Sequence, residues 1–591
     1  MLKDQLLDRV TAPQELLSSA SAPPKPGGLP SAGRWTGERL RIAMLLAVVV
    51  LVYGNSLLNQ FTLDDGLYIM RNPQVTHLSL RELFAPNKLT NVFRPFTFAT
   101  LALNWALGAA HPLGYHVFNI LLHAGVTWLL YLLLQAILGS SLHGKAAALA
   151  AALLFAVHPI HTEAVASVAG RPELLAAAFL LAAWLLHLRD REFPALLCFV
   201  LALLSKESAV VFLALLLIGD YARGKWKPGL RYARVAGVTL LYIALLWEVQ
   251  GRRFGQAGIA PLDNPLAALP AGWRFLNALR VAWKYVGLHF YPATLSCDYS
   301  FNQIPVYVDW RHTLPAALAA LAALGAWIWA IRTRQRGLAL AGGIYLAGFA
   351  VTANILVPTG TIMGERLAYL PSAGFCLLLA LAWCWLRDRQ RALAWGLFVV
   401  VVGSLGLRTA VRNRDWKDDL SLFSAAVRAA PNSAKAHADL AGQYMAGRQL
   451  DLAQAEFQAS LRIYPGYPDA LASYGLLQFW RGNYQDADRM MERALQTSAR
   501  DNPNYDFMAV NLAALWMQTG DKDDALQLLN REIAEAPGYA RAWSNRAVLR
   551  YQNGERQAAR ADAEAALRLD RDSSQAQNLL RLLGTRSAAS N

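Results

Sequence analysis

Two adjacent carboxylates, Asp64 and Asp65 in the stretch Phe61-Thr62-Leu63-Asp64-Asp65-Gly66, are the first residues of this chain whose types and spacing could do chemistry. Neighbouring like charges raise the pKa of one member, so such a pair can supply a general base or a metal ligand. The plain alternative is a helix cap on an outer loop. Further along, His158-Pro159-Ile160-His161-Thr162-Glu163 sets two histidines three residues apart. On a helix they share one face and could bind a cation or a phosphate. Arg94, Arg171, Lys206 and Arg366 offer bidentate or point-charge contacts to an anionic lipid headgroup. Snorkelling, or pairing with Glu173, Glu207 and Glu365, competes for each cation alone, but the coincidence of so many near one membrane face favours a site. Glu207 and Glu365, with His158, His161 and Glu163, therefore count as supporting groups or as ligands of a divalent cation.

The elements that must hold these residues are membrane helices. Of the 591 residues 55% are apolar and only 16% charged, well below the roughly 25% usual in soluble domains. The formal charge of +15 sits in short clusters between long apolar runs, which is the pattern of membrane topology and not of a nucleic-acid surface. Cys198, Cys297, Cys376 and Cys384 have no metal-ligand spacing, and three of them fall in apolar helices, where a thiol acts as a small hydrophobe. Residues 1–35 are rich in Pro, Ser and Gly, are expected to be disordered and cytoplasmic, and contain no secretory apolar stretch. From Ile42 to Leu407 apolar runs follow one another, giving roughly eleven spans of a hydrocarbon core about 30 Å thick. Among these are Pro194 to Leu204, Ala209 to Ile218, Leu338 to Val357 and Leu367 to Leu386. The Lys/Arg clusters fall in alternate loops, so basic loops retained in the cytoplasm place the amino terminus inside and the carboxyl terminus outside. Residues 36–412 are thus the membrane domain, with two long outer loops, 58–114 and 251–312. The second carries an aromatic, basic stretch from Trp273 to Phe290 suited to an interfacial helix.

After Trp416 the composition turns to Ala-rich amphipathic helix with a period of 34, that of tetratricopeptide (TPR) repeats. His437, Leu440, Ala441, Tyr444, Ala453, Phe457, Ser460 and Pro465 fit one unit; Ala509, Leu512, Ala513, Trp516, Ala525, Leu529 and Pro537 fit another. Tyr474, Gly475, Ala487, Met491 and Ala494 mark a weaker unit, and Trp543, Ala547 and Ala559 open the last. Residues 413–586 are expected to form an α-solenoid. Its concave face is the default groove for a peptide or protein, with Tyr444, Tyr474, Trp516 and Trp543 as candidate contacts.

Taken in order, Asp64-Asp65, Arg94-Pro95, Tyr115-His116 with Asn119, the His158 to Glu163 motif, Gly170-Arg171 and Ser205-Lys206-Glu207, all followed by TPR units, resemble the transmembrane and tetratricopeptide repeat-containing O-mannosyltransferases. The resemblance covers nearly the whole chain beyond its first 35 residues. It implies an all-α membrane glycosyltransferase of the C type followed by a TPR solenoid. It also implies a polyprenyl-phosphate sugar donor, a protein hydroxyl as acceptor, and an acidic residue of the first outer loop at the reaction centre. Carried over, Asp64 or Asp65 would deprotonate or hold the acceptor hydroxyl, and Arg94, Lys206 and Arg366 would neutralise the departing lipid phosphate, with Arg171 a further phosphate partner. An oxocarbenium-like centre and a phosphate leaving group do call for a carboxylate and cations close together. The composition suggests a bacterial homologue in the inner membrane with its repeats in the periplasm, using mannose or another hexose. The competing readings are a noncatalytic TPR scaffold and a polymerase or ligase of lipid-linked glycans.

Overall fold

The computed structural model describes residues 32–77, 79–87, 92–139, 141–225, 229–251, 259–355 and 357–585. Most of the expected amino-terminal tail (1–31), pieces of the two outer loops (78, 88–91, 252–258) and the basic-loop residues 226–228 lie outside the described residues. A helix begins at Ala32, inside the stretch expected to be disordered. The chain divides into a short unit, Met1–Met44, and a large one, Leu45–Asn591, that holds everything discussed below. Among the described residues all regular structure is helical.

The protein is a multi-pass membrane protein. Among the described residues six helices are long and apolar enough to cross a bilayer: Gly37–Leu58, Pro112–Leu138, Val168–Leu188, Leu230–Val249, Trp310–Arg332 and Arg391–Trp416. A seventh crossing would be the broken pair Leu142–Val157 and Pro159–Ala166, bent by 53°. The remaining apolar runs form shorter helices, Glu192–Ser205, Phe212–Arg223, Arg336–Phe349 and Pro371–Arg387. The expected span Leu338 to Val357 ends at Phe349, and the one from Leu367 starts in earnest only at Pro371, a residue that cannot continue a preceding helix. Trp273 to Phe290 does form a helix, Ala271–Phe290, which buries Asn277, Ala278, Val281, Tyr285 and His289 along one face.

The helix breaks are what place polar residues. At His158 the backbone is extended, and Pro159 starts a short turn of helix in a new direction. At Lys206 it is extended again, between Glu192–Ser205 and the turn Glu207–Val211. The interior is built from small residues: Ala147, Ala148, Ala151 and Ala152 are buried on Leu142–Val157 and let neighbouring helices approach. In lipid that close packing, and not water exclusion, is what associates helices.

The last span returns beside the first. Asn55 donates to the carbonyl of Ala410 (2.7 Å), and the Asn413 amide donates to Val52 O (3.0 Å) and Asn55 Oδ1 (2.9 Å). The solenoid therefore starts next to the Asp64-Asp65 loop. It consists of helix Asp419–Ala429 and the hairpins Ala434–Ala446 with Leu450–Ile463, Pro468–Trp480 with Tyr484–Thr497, Tyr505–Thr519 with Lys522–Glu535, and Ala540–Gln552 with Arg556–Leu569, closed by Ser574–Thr585. Small residues stand where helices touch: a Cβ at Gly475 would come 2.8 Å from Met491 Cγ and 3.2 Å from the Ala487 carbonyl. The loop that holds Leu262 and Asn302 docks on the first hairpin. Asn302 N–H donates to Asn432 O and Ala434 N–H to Phe301 O (both 2.8 Å), while Leu262 is buried among Ala434, Ala438, Met445 and Tyr467.

Candidate active site

Asp64 and Asp65, equivalent in the sequence, have different surroundings. Asp65 is fully buried. Its Oδ2 accepts the Thr62 N–H (3.1 Å), and its Oδ1 accepts the Ala169 N–H (2.6 Å) and the Ser167 hydroxyl (3.4 Å). Burial, with Asp64 adding to it, pushes the Asp65 carboxyl up to about 7 against those donors. Asp65 thus ties the first outer loop to the turn Val168–Gly170. That turn lies against Glu163 and Ala164 so closely that a Cβ on Gly170 would stand 2.5 Å from the Ala164 carbonyl. Asp64 keeps a side chain 41% exposed, with its Oδ2 3.6 Å from Arg366 Nη1.

Arg366 joins three parts of the chain. Its backbone N–H donates to Glu163 Oε2 (2.9 Å), and its Nε lies 3.4 Å from Glu163 Oε1. Its guanidinium makes ion pairs with Asp64 and Glu163 but no side-chain hydrogen bond among the described residues. Arg94 is different: Nε and Nη2 bind Glu207 bidentately at 3.0 and 2.7 Å. Burial by itself would raise the Glu207 carboxyl, but Arg94 holds it down at about 2. Lys206 pairs with buried Glu173. Burial and the positive field of Arg94 and Arg366 hold its ammonium well below its ordinary value. Arg94, Lys206, Arg366, Glu163, Glu207 and Asp64 therefore form one electrostatic cluster at the ends of the broken helices.

Other expected members stand apart. Arg171 is buried among neutral acceptors, donating to Asn119 Oδ1 (2.9 Å), Asn104 Oδ1 (2.7 Å), Thr100 O (3.1 Å) and Tyr115 O (3.2 Å). Four of its five N–H groups are used, and its role as a phosphate partner is not supported by this geometry. Glu365 does not pair with Arg366. It turns to the second outer loop, where its Oε1 accepts Ser296 N–H (2.6 Å) and the Tyr299 hydroxyl (2.7 Å), while Oε2 lies 3.9 Å from buried Arg412. Burial, partly opposed by Arg412, pushes its carboxyl up to about 7. His158 and His161 do not share a helical face, because the chain bends between them. His158 Nε2–H donates to His289 O (3.0 Å) and its Nδ1 accepts Ile160 N–H (3.2 Å), while His161 Nε2 meets Ser372 Oγ (2.7 Å). Among the described residues no three His, Cys, Asp or Glu side chains are grouped as a metal site requires.

Sequence reasoning missed the residues that frame the cluster. Tyr285 accepts the Gly364 N–H through its hydroxyl (3.0 Å), just ahead of Glu365-Arg366. Arg412 is a buried cation in a helix that reads as an ordinary span. Asp439, on the first helix of the first hairpin, is close enough to feel Asp64; burial pushes its carboxyl up to about 7 although Lys435 opposes this. Arg412 lies beyond the apolar run that ends at Leu407, in the basic stretch Arg408 to Arg414, so that run gave no signal for it. Nothing in the sequence pointed to Asp439.

No protein-family model matches the chain. The Mus musculus protein O-mannosyl-transferase TMTC3 is 27% identical over 595 residues, covering 90% of this chain and 64% of that protein. A Caenorhabditis elegans protein O-mannosyl-transferase is 30% identical over 456 residues, 74% of this chain and 64% of its own length. Mus musculus TMTC4 is 30% identical over 466 residues, with 66% and 62% covered. The curated relatives of this chain are TMTC-family protein O-mannosyl-transferases. The chain spans slightly less than two thirds of the length of these TMTC proteins. Two solved structures align with it at low scores. The crystal structure of MamA has a TM-score of 0.23 and 19% identity, covering 26% of this chain and 89% of its own. That of YrrB, a TPR protein with an unusual peptide-binding site, has a TM-score of 0.24 and 18% identity, covering 34% and 98%. The repeat architecture described above rests on the helix hairpins themselves.

The aromatic groove candidates mostly serve packing. Tyr474 is buried, stacks on Phe457 and accepts from Gln458 (3.1 Å). Tyr444 packs half-buried against the cluster that takes in Leu262. Trp516 donates to Asp488 (2.7 Å) and Trp543 to Pro537 O (2.9 Å), both half-buried.

Proposed function

We propose that the protein transfers a hexosyl group, mannose by analogy with the names of its relatives, from a polyprenyl-phosphate-linked donor to a hydroxyl of a protein acceptor. The observation that carries this reading is the half-exposed Asp64 carboxylate beside the guanidinium of Arg366. In the reaction, Asp64 accepts the proton of the acceptor hydroxyl while that oxygen bonds to the anomeric carbon. The bond from that carbon to the phosphate oxygen breaks, and its electron pair leaves with the phosphate. Arg366, a guanidinium that borders Asp64, meets the developing charge. Arg94 and Lys206 set the positive field around it from their pairs with Glu207 and Glu173. Asp65 holds the loop in place. The membrane portion would then be a glycosyltransferase domain of the C type, oriented with its amino terminus in the cytoplasm. Site and solenoid would face the periplasm of a bacterium, and the repeats would present the acceptor.

The test is transfer of labelled mannose from synthetic polyprenyl-phosphate mannose to protein by the purified full chain, with and without Mg2+. Wild type is expected to transfer and Asp64→Asn to fail while remaining folded. Absence of transfer by wild type across several donor sugars would favour a noncatalytic scaffold.

A further inference from the structure

Leu63, the residue before Asp64, has φ +55°, in the left-handed region. A bulky side chain there is a genuine outlier, costing about 1–2 kcal/mol, and persists only when its surroundings over-determine it. Residues at the junction of the last span and the solenoid do so. Asp419, the first residue of helix Asp419–Ala429, accepts the Leu63 N–H on Oδ1 at 2.8 Å. Trp416 and Leu422, both buried, pack with Ala166 and Cys297 around the Leu63 side chain. Gln60 N–H donates to Lys417 O (2.8 Å) one turn earlier, so the loop is gripped twice by the same segment. Asp419 is free for this because the helix is capped by its neighbour: Asp418 Oδ1 accepts the Ser421 N–H (2.8 Å).

We infer that Asp419 is a positioning residue for Asp64: through its bond to the Leu63 N–H, the solenoid holds the loop in the strained conformation that presents the Asp64 carboxylate to Arg366. The repeats would then complete the site as well as recruit an acceptor. The membrane portion alone would carry Asp64 on a loop free to relax. This inference rests on the reading of Asp64 as the base.

The experiment compares kcat and KM for mannosyl transfer from polyprenyl-phosphate mannose by full-length wild type, Asp64→Asn, Asp419→Ala and Asp419→Asn, with thermal unfolding of each. Displacing a catalytic group by about 1 Å can cost on the order of 100-fold in rate. Asp419→Ala is expected to lower kcat by tenfold or more with donor KM unchanged and unfolding temperature near wild type. Asp419→Asn retains an acceptor oxygen and is expected to restore most of the rate. Adding Leu63→Gly to Asp419→Ala is expected to recover part of kcat, since glycine occupies the left-handed region without strain. An Asp419→Ala enzyme within twofold of wild type overturns the inference, as does an equal loss in the Ala and Asn variants. Either result alongside an inactive Asp64→Asn leaves the base assignment standing; an active Asp64→Asn removes that assignment instead.

Discussion

Two carboxylates one residue apart differ here by everything except their chemistry. Asp65 is enclosed and accepts three hydrogen bonds; Asp64 is open and faces a cation. Asp64→Asn should therefore lower transfer by about 100- to 10,000-fold, the range for a lost general base, with little change in unfolding temperature. Asp65→Asn should act mainly on stability, at about 1–3 kcal/mol, because one amide oxygen cannot replace both carboxylate oxygens and a buried N–H is orphaned. Thermal unfolding in detergent separates the two. Glu365 makes a pH-dependent prediction. Its folded pKa, about 7, lies above the ordinary value of 4.5, so between those values the native state binds more protons than the unfolded one. The stability contribution of its neutral form is then full below about pH 4.5 and is lost as pH rises to 7. Glu365→Gln should gain unfolding temperature relative to wild type between pH 5 and pH 8; a flat difference would contradict this.

At the scale of elements, broken helices do the positioning. The bend at His158, the turn Val168–Gly170 and the extended Lys206 bring charged groups to helix ends, where apolar neighbours need not bury them. The turn at Gly170 is the tightest of these. Gly170→Ala would put a Cβ against backbone carbonyls of Ala164 and Glu163 at 2.5 and 2.7 Å. Backbone cannot swing aside as a side chain can, so a loss of about 1–3 kcal/mol is expected, read as a lower unfolding temperature. The same breaks explain why some apolar runs of the sequence form two shorter pieces of helix. An apolar run of the right length predicts burial, but whether it is one helix or two pieces depends on what the neighbours satisfy at the break.

For the whole molecule, the solenoid is fixed to the membrane portion by main-chain hydrogen bonds and by Leu262 inserted into the first hairpin. Leu262→Ala should cost about 2–5 kcal/mol at that junction. The measurable consequence is faster amide exchange in Ala434–Ile463 with the later hairpins unchanged. By itself the sequence determined that the chain enters the membrane repeatedly and that helical repeats follow, and it singled out Asp64, Asp65, Arg94, Arg171, Lys206 and Arg366 without ranking them. These depend on composition, period and residue type, which are local. The tertiary structure alone decided which acid is open, that Glu365 turns to Arg412 while Arg366 takes Glu163 and Asp64, that Arg171 is enclosed by neutral groups, and that Asp419 meets the loop before Asp64. Each of these depends on residues tens to hundreds of positions apart, and a buried charge is defined by whichever partner the fold brings within about 4 Å, a distance no spacing in the sequence encodes.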